Sequence, residues 1–393
     1  MSVIRAHKIR IFPNKEQEVL LKKSCGVARF AYNWALAKWK EMYENKEKVS
    51  EALLRKILNS IKREQFPWML EVTKCAPQQA IKNLGIAFSK FFRNKAEFPK
   101  FKKKNASNSF YISRDRFSIK NKELRLSKVK GSIVTAEDLR FSGKVMSGVV
   151  SLDVDRWYIS IIVDTCDSSR RSDNRGTVGV DLGVKNLATL SDGITFNNPK
   201  FYNRVQGRIK RLSRSYAKKI KGSNNREKAR LLLAKVHRKI RLARKTNLQM
   251  LSTYLCRNYN TIVLEDLNVR GMVKNHKLAQ AISDCGLGML RRYIENKAIS
   301  TSTKVVFADR FFPSSKTCSR CGSIKDNLSL KDRIYKCNVC GFEVDRDLNA
   351  AINLKKLGTC CSEVTPVETP LGVYEAGIFN TKHLVYNVLD VVY

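Results

Sequence analysis

Gly176-Thr-Val-Gly-Val-Asp181-Leu-Gly-Val-Lys-Asn-Leu-Ala-Thr-Leu-Ser-Asp192-Gly193 organises the second half of this chain. Val178 and Val180 place β-branched residues in a short strand that ends on a carboxylate, Asp181. A second strand, Val184 to Leu190, begins directly after Gly183, and Asp192-Gly193 supplies the next hairpin turn. An acid at the end of a rigid strand can hold a metal ion. It can equally be a turn residue, because Asp bonds its own backbone in turns. The stretch alone leaves both readings open.

Downstream, Thr261-Ile-Val-Leu-Glu265-Asp266 is a second strand that ends in acid, continuously apolar in the manner of strands covered on both faces. Asp266-Leu-Asn268 leads into Arg270-Gly-Met-Val-Lys-Asn275, a loop long enough to act as a lid. Leu278 to Ser300 is predicted as one amphipathic helix, and Lys304 to Ala308 as a strand. Cys318-Ser-Arg-Cys321 and Cys337-Asn-Val-Cys340 follow, fifteen residues apart, each pair succeeded by a glycine (Gly322, Gly341) that lets the backbone turn around an ion. Two such knuckles predict a tetrahedral thiolate site for one structural Zn²⁺, with all four ligand positions filled by protein. Directly after them stands Asp345-Arg-Asp347-Leu-Asn349-Ala350-Ala351. Asp345 and Asp347 are two residues apart and cannot point at one spot, so at most one joins a metal site. Ala350 and Ala351 allow the helix that follows to lie close against a sheet.

Between the two acid-ended strands, residues 199–258 read as helical, broken at Gly222-Ser223, with Asn224 and Glu227 capping the second half. Arg204 to Lys245 contains seventeen Lys and Arg against one acid, Glu227. Like charges at helical spacing destabilise a bare helix. Apolar anchorage through Leu231, Leu232, Val236 and Ile240, with a polyanion alongside, answers that repulsion.

The first half has a different period. Residues 3–12 alternate, His7, Ile9 and Ile11 on one face and Lys8 and Arg10 on the other, and Pro13 ends the strand. Asn14 and Gln17 form a capping box for a helix with Leu20, Leu21, Val27, Phe30, Ala31, Trp34 and Leu36 at helical spacing. Further helices cover roughly 49–62 and 76–94, separated by Phe66-Pro67-Trp68, and their aromatic residues read as core. From Phe88 to Lys104 aromatics interleave with cations. Such a run either grips phosphates and stacks on bases or packs its Phe residues beneath solvated lysines. Short alternating strands return from 108 to 165 and suggest a small barrel that strand 3–12 could complete. Asp167 to Arg175 is a polar linker.

The composition fits this division. Hydrophobic residues make up 43% of 393, which places the chain among globular proteins. Lys and Arg outnumber Asp and Glu by 75 to 35, a net charge of +40, and a chain so basic repels itself unless a polyanion neutralises it. Nucleic acid is the expected partner. No apolar run approaches the ~18 residues of a membrane span, and Met1 to Lys8 lacks a signal-peptide core, so an intracellular, cytoplasmic protein is expected. The eleven cysteines then read as metal ligands and buried thiols, not disulfides.

Taken together, Gly-Val-Asp181-Leu-Gly, Leu-Glu265-Asp-Leu, Pro313-Ser-Ser-Lys-Thr-Cys318 and Asp345-Arg-Asp-Leu-Asn-Ala-Ala351 resemble TnpB, the RNA-guided nucleases of insertion sequences related to type V CRISPR effectors. The resemblance covers roughly 1–357 and is dense from 176 to 354. It implies an α/β multidomain chain: an RNase H-like RuvC nuclease domain with a zinc-ribbon insert, and an N-terminal β-barrel wedge domain carrying a helical recognition insert. The implied boundaries are 1–13 and 98–167 for the barrel, 14–97 for the recognition helices and 168–175 for the linker. They continue with 176–310 and 345–357 for the nuclease, 311–344 for the zinc insert and 358–393 for a loose tail. By the same resemblance Asp181, Glu265 and Asp347 form the catalytic site and bind two Mg²⁺, with guide RNA and target double-stranded DNA as partners in a prokaryotic cytoplasm. Lys74 and Gln78 resemble positions that read a short duplex motif beside the target. Lys100, Lys102, Arg208, Arg211, Lys218, Arg238 and Arg241 are the further expected nucleic-acid contacts, taken from the basic stretches. A DNA-strand transferase and a nuclease-inactive RNA-guided repressor are the rival readings.

Overall fold

In the computed structural model, which describes residues 3–104, 108–165, 176–329 and 332–360, the alternation of His7, Ile9 and Ile11 becomes strand β1 (Val3–Phe12), with all three side chains buried. The linker 168–175 and the tail after residue 360 lie outside the described residues. The chain divides into two units, Met1–Ser168 and Ser169–Tyr393.

In the first unit, the Asn14–Gln17 capping box opens helix α1 (Lys15–Glu44). Gln17 also donates through Nε2 to the carbonyls of Lys130 and Ser132, so the cap residue pins the helix to the sheet. Helices α2 (Glu51–Gln65) and α3 (Cys75–Phe92) follow, separated by a single 3₁₀ turn that Pro67 opens. The chain then forms β2 (Ser109–Ser113), β3 (Phe117–Lys120), β4 (Glu123–Leu126), β5 (Ile133–Thr135), β6 (Lys144–Asp153) and β7 (Arg156–Thr165). β5, only three residues long, is too short to show a period and was not expected from the sequence. The order β2-β6-β7-β1-β5-β4-β3 puts the first strand of the chain in the middle of a seven-stranded antiparallel sheet. That sheet curls into a nearly closed barrel: a Cβ at Gly148 of β6 would lie 3.3 Å from the Phe117 ring at the start of β3, the far strand of the order. Its inner face (Ile9, Ile11, Ile112, Leu124, Ile133, Ile159) shares one core with Leu21, Leu36, Leu54 and Leu84 of the helices.

The second unit is built on β8 (Thr177–Asp181), β9 (Asn186–Leu190) and β10 (Thr195–Asn197), an antiparallel meander. Helices α4 (Phe201–Ala217) and α5 (Asn224–Asn258) form a hairpin, seamed by Ile209, Val236 and Ile240. Ser223, not Asn224, caps α5, its side chain accepting from the Arg226 amide. Strand β11 (Thr261–Glu265) then pairs parallel to β8, and β12 (Lys304–Ala308) parallel to β11, giving the order β10-β9-β8-β11-β12. Between β11 and β12 lie α6 (Val269–Met272), α7 (Ala279–Cys285) and α8 (Leu287–Thr301). The single helix expected over 278–300 is thus two, because Gly286 takes φ +70° and ends the first. A two-stranded ribbon of β13 (Ile334–Lys336) and β14 (Glu343–Asp345) leads into α9 (Arg346–Cys360).

Strand period decides which face each side chain takes. Val178, Val180, Ile262 and Leu264 pack with Leu251 and Leu255 of α5 and Leu290 and Ile294 of α8. Gly179 and Val263 point the other way, toward α9, where Leu354 joins Val263 and Ala308. The helix lies so close that a Cβ on Gly179 would meet the Ala351 carbonyl oxygen at 2.0 Å and the Lys355 amide nitrogen at 2.4 Å. Backbone on both sides leaves nothing flexible to yield. Gly179→Ala is therefore expected to lower stability by about 2–3 kcal/mol, read as an earlier denaturation midpoint at unchanged slope. An unmoved midpoint would disprove the close packing.

Candidate metal centres and nucleic-acid interface

The same period carries the acids. Asp181 shares the parity of Gly179, and Glu265 that of Val263, so both leave their strand ends on the face covered by α9. The β8–β11 ladder runs Thr261↔Thr177 to Leu264↔Val180, and one step further brings Glu265 level with Asp181 on neighbouring parallel strands. Asp347 stands in the first turn of α9, over the same strand ends. All three carboxyls are half-buried. Burial first, then the charges of Glu265 and Asp347, push the Asp181 carboxyl well above the ordinary carboxylate range; Arg346 opposes them.

The neighbouring acids are occupied elsewhere. Asp266 bonds Arg291 Nη1 and Arg310 Nη2, both at 2.6 Å, and these guanidiniums hold it below the usual range. Asp345 is exposed and caps α9, accepting from the amides of Asp347 at 2.9 Å and Leu348 at 3.1 Å. One member of the pair, Asp345, therefore serves the helix end, and the other, Asp347, acts the more strongly on the Asp181 charge. Mutual repulsion among three acids on one face suits a divalent cation, and oxygen donors suit a hard one such as Mg²⁺.

The four cysteines make a second, tighter group. Among the described residues they alone form a set of three or more whose possible ligand atoms all lie within 4.8 Å of one another. Cys318 Sγ and Cys340 Sγ are 3.7 Å apart, and Cys321 Sγ and Cys337 Sγ 3.6 Å. A tetrahedron with metal–sulfur bonds of about 2.3 Å has edges of about 3.8 Å, whereas a disulfide would need about 2.0 Å. Gly322 and Gly341 take φ +81° and +66° at the two knuckles. Bonds from the Cys340 amide and the Ser323 hydroxyl favour the Cys337 thiolate, the form that binds metal.

Three links between the two centres were not read from the sequence. Ser314 Oγ donates to Glu265 Oε1 at 2.5 Å. Asn349, fully buried, accepts from the Ser319 amide at 2.9 Å and donates to the Thr317 carbonyl at 2.7 Å. Asn353 donates to the carbonyls of Ser314 at 2.8 Å and Thr317 at 2.6 Å. All three residues lie within or beside motifs quoted above, but a hydroxyl or amide in a loop gives no sign of its partner until the loop is placed.

The expected nucleic-acid contacts separate by exposure. Lys74 is exposed at the start of α3, and Gln78 is half-buried one turn later on the same face. Arg208 and Arg211 are exposed on α4 and Lys218 at its C-cap, and Arg211 and Lys218 line a cavity of ≈ 600 Å³ with Lys210 and Arg214. Arg241 is half-buried. Arg238 is only 5% exposed, which corrects the expectation that it reaches a nucleic acid: a guanidinium so covered is out of reach of a phosphate backbone. Lys100 is exposed and paired with Glu97 at 2.8 Å, while the Lys102 ammonium lies 3.9 Å from the centre of the Tyr32 ring. In the interleaved run, Phe88 stacks on Trp39 in the core, and Phe92, Phe98 and Phe101 stay exposed. The packing reading therefore holds for Phe88, and the exposed rings leave the nucleic-acid reading open for the rest.

Comparison with known proteins meets this geometry. A protein of Streptomyces pristinaespiralis named as an RNA-guided DNA endonuclease is 36% identical over 372 residues, covering 92% of this chain and 90% of its own length. The chain belongs to the TnpB family. InsQ of Escherichia coli K12, named likewise, is 28% identical over 94% of this chain and 97% of its own. Within the TnpB chain, residues 160–276 match the OrfB family of IS605 described as "Probable transposase", and residues 288–354 match a Cas12f1-like TNB domain. Residues 1–48 match a family described as a helix-turn-helix domain, although here they hold one strand and one unbroken helix, β1 and α1. A Cas12f1–guide RNA–target DNA complex shares the fold, with TM-score 0.54 at 13% identity, over 90% of this chain and 99% of that one.

Proposed function

We propose that this TnpB-family chain is an RNA-guided DNA endonuclease that hydrolyses target phosphodiester bonds at Asp181, Glu265 and Asp347. What supports the reading is that Asp181 and Glu265 end neighbouring parallel strands with the same parity, and that Asp347 opens the helix whose Ala351 lies against Gly179, near enough for the Glu265 and Asp347 charges to act on Asp181. The meander followed by two parallel strands supports an RNase H-like, RuvC-type domain, and the four-cysteine clip supports a zinc ribbon inserted between β12 and α9. Asp181, Glu265 and Asp347 would hold divalent ions such as Mg²⁺, which would supply activation of the attacking water and stabilisation of the leaving oxygen. The chain's own part is to hold three oxygen donors on rigid elements and to lay the scissile strand across them.

Sequence choice is assigned to a guide RNA, the protein gripping the heteroduplex by its backbone and reading a short flanking motif with Lys74 and Gln78. The exposed cations of α4 and the net charge of +40 suit that load of phosphate. Among the described residues no helix is long and apolar enough to cross a membrane. The proposed domain boundaries are those given above, with the barrel at 1–13 and 98–167 and the nuclease split by the zinc insert.

The test is to purify the protein with its co-purifying RNA, sequence that RNA and offer the complex duplex DNA matching its guide segment. Mg²⁺-dependent cuts at the matched duplex are expected. RNA-free protein that joins transposon ends would establish the strand transferase, and guide-dependent binding without cleavage would establish the repressor.

A further inference from the structure

Ser314 stands in the loop between β12 and the first cysteine knuckle. It is 4% exposed, and its hydroxyl is spent on Glu265 Oε1. The loop around it is fixed twice over. The Pro313 carbonyl accepts from the amides of Lys316 and Thr317, both at 3.0 Å, and from Thr317 Oγ1 at 2.9 Å, closing a tight turn. The carbonyls of Ser314 and Thr317 are taken by Asn353 and Asn349 of α9, the helix whose first turn holds Asp347. The next residue, Cys318, is the first thiolate of the clip, and Lys356 of α9 bonds the Ser319 carbonyl. One short segment therefore touches Glu265 at one end and the clip at the other, and it is clamped along its length to the helix bearing the third acid.

A carboxylate at a strand end can turn about its last bonds. A buried hydroxyl on one oxygen fixes its plane, and charge-assisted bonds of this kind are the stronger ones. We infer that Ser314 is a positioning residue for Glu265, setting that carboxylate for the divalent ion, with Asn349 and Asn353 holding Ser314 in place. This rests on the endonuclease reading and adds to it a dependence of the nuclease acids on the loop leading into the clip.

The experiment compares wild type, Ser314→Ala and Ser314→Thr as guide-loaded complexes. Three quantities are read: single-turnover cleavage, the Mg²⁺ concentration for half-maximal rate, and the rise in melting temperature of the protein on adding Mg²⁺. Ser314→Ala is expected to cleave roughly tenfold or more slowly, to need more Mg²⁺ and to gain less melting temperature from it, with DNA binding unchanged. Ser314→Thr, which keeps the hydroxyl, should restore all three. Wild-type rate and Mg²⁺ dependence in Ser314→Ala overturn the inference. So does a loss of rate that Ser314→Thr fails to rescue and that tracks a lower melting temperature without Mg²⁺, since that is a packing defect. If wild type itself neither cleaves nor responds to Mg²⁺, the endonuclease reading falls and this inference with it.

Discussion

Replacing Asp181 with alanine is expected to reduce Mg²⁺-dependent cleavage at least about a thousandfold, some 4 kcal/mol of barrier, while guide and target binding persist. The reason lies in where the residue stands. Asp181 ends the strand that pairs with β11, and Glu265 and Asp347 both act on its charge. Its loss leaves two acids, on separate elements, to do the work of three. Cleavage at the wild-type rate by the variant complex would refute the assignment.

The same residue makes a second expectation, of opposite sign, about stability. Burial first, then the charges of Glu265, Asp347 and, least, Asp345 hold the Asp181 carboxyl above its ordinary value, so the folded chain keeps a proton that the unfolded chain releases. Without divalent metal, stability contributed by this group is present below the ordinary carboxylate range and falls as pH rises through the raised value. Asp181→Asn removes that slope. The variant should melt no lower than wild type at neutral pH without Mg²⁺, and it should lose the Mg²⁺-induced rise in melting temperature. Calorimetry across pH 4 to 8 with and without Mg²⁺ checks both, and an Asn variant that melts well below wild type would contradict the repulsion.

Most of this architecture was legible because period and punctuation act locally. The strands at 3–12, 177–181 and 261–265 follow from alternation or from apolar runs that end at a polar residue, and the clip follows from cysteine spacing. The choice between Asp345 and Asp347 was open locally: residues two apart part company, but only the placement of α9 shows that Asp345 caps the helix and that Asp347 is the stronger of the two charges on Asp181. Arg238 was misread for a related reason. Along a helix so dense in cations, charge alone cannot tell a covered residue from one on the outer face, and Arg238 is covered. The break at Gly286 was overlooked because the apolar spacing continues on both sides of it. Ser314 and the two asparagines form bonds across 30 to 50 residues of chain, and no window of sequence contains both partners.

Removing the cysteines proposed to hold zinc should be the other large effect. Among the described residues, the apolar core of the clip is Cys318, Tyr335 and Cys337, with Leu328, Phe342 and Val344 packed around them. Its one sheet is the β13–β14 pair of three residues each, too small to hold by itself. Metal binding, apparent values for zinc-finger peptides being about 10–16 kcal/mol, must then supply most of its folding energy. Cys337→Ser is expected to lower bound zinc from one per chain toward none, by elemental analysis, and to open residues 318–344 to protease. The damage should not stay local. β14 ends at Asp345, the cap of α9, and the Arg346 amide bonds the Arg333 carbonyl inside the clip, so the start of the helix that carries Asp347 loses its anchor. Cleavage should fall at least tenfold in step with zinc content, even though no cysteine touches the reacting phosphate. A zinc-free variant that resists protease and cleaves normally would show that the thiolates are dispensable and that α9 is held by the sheet alone.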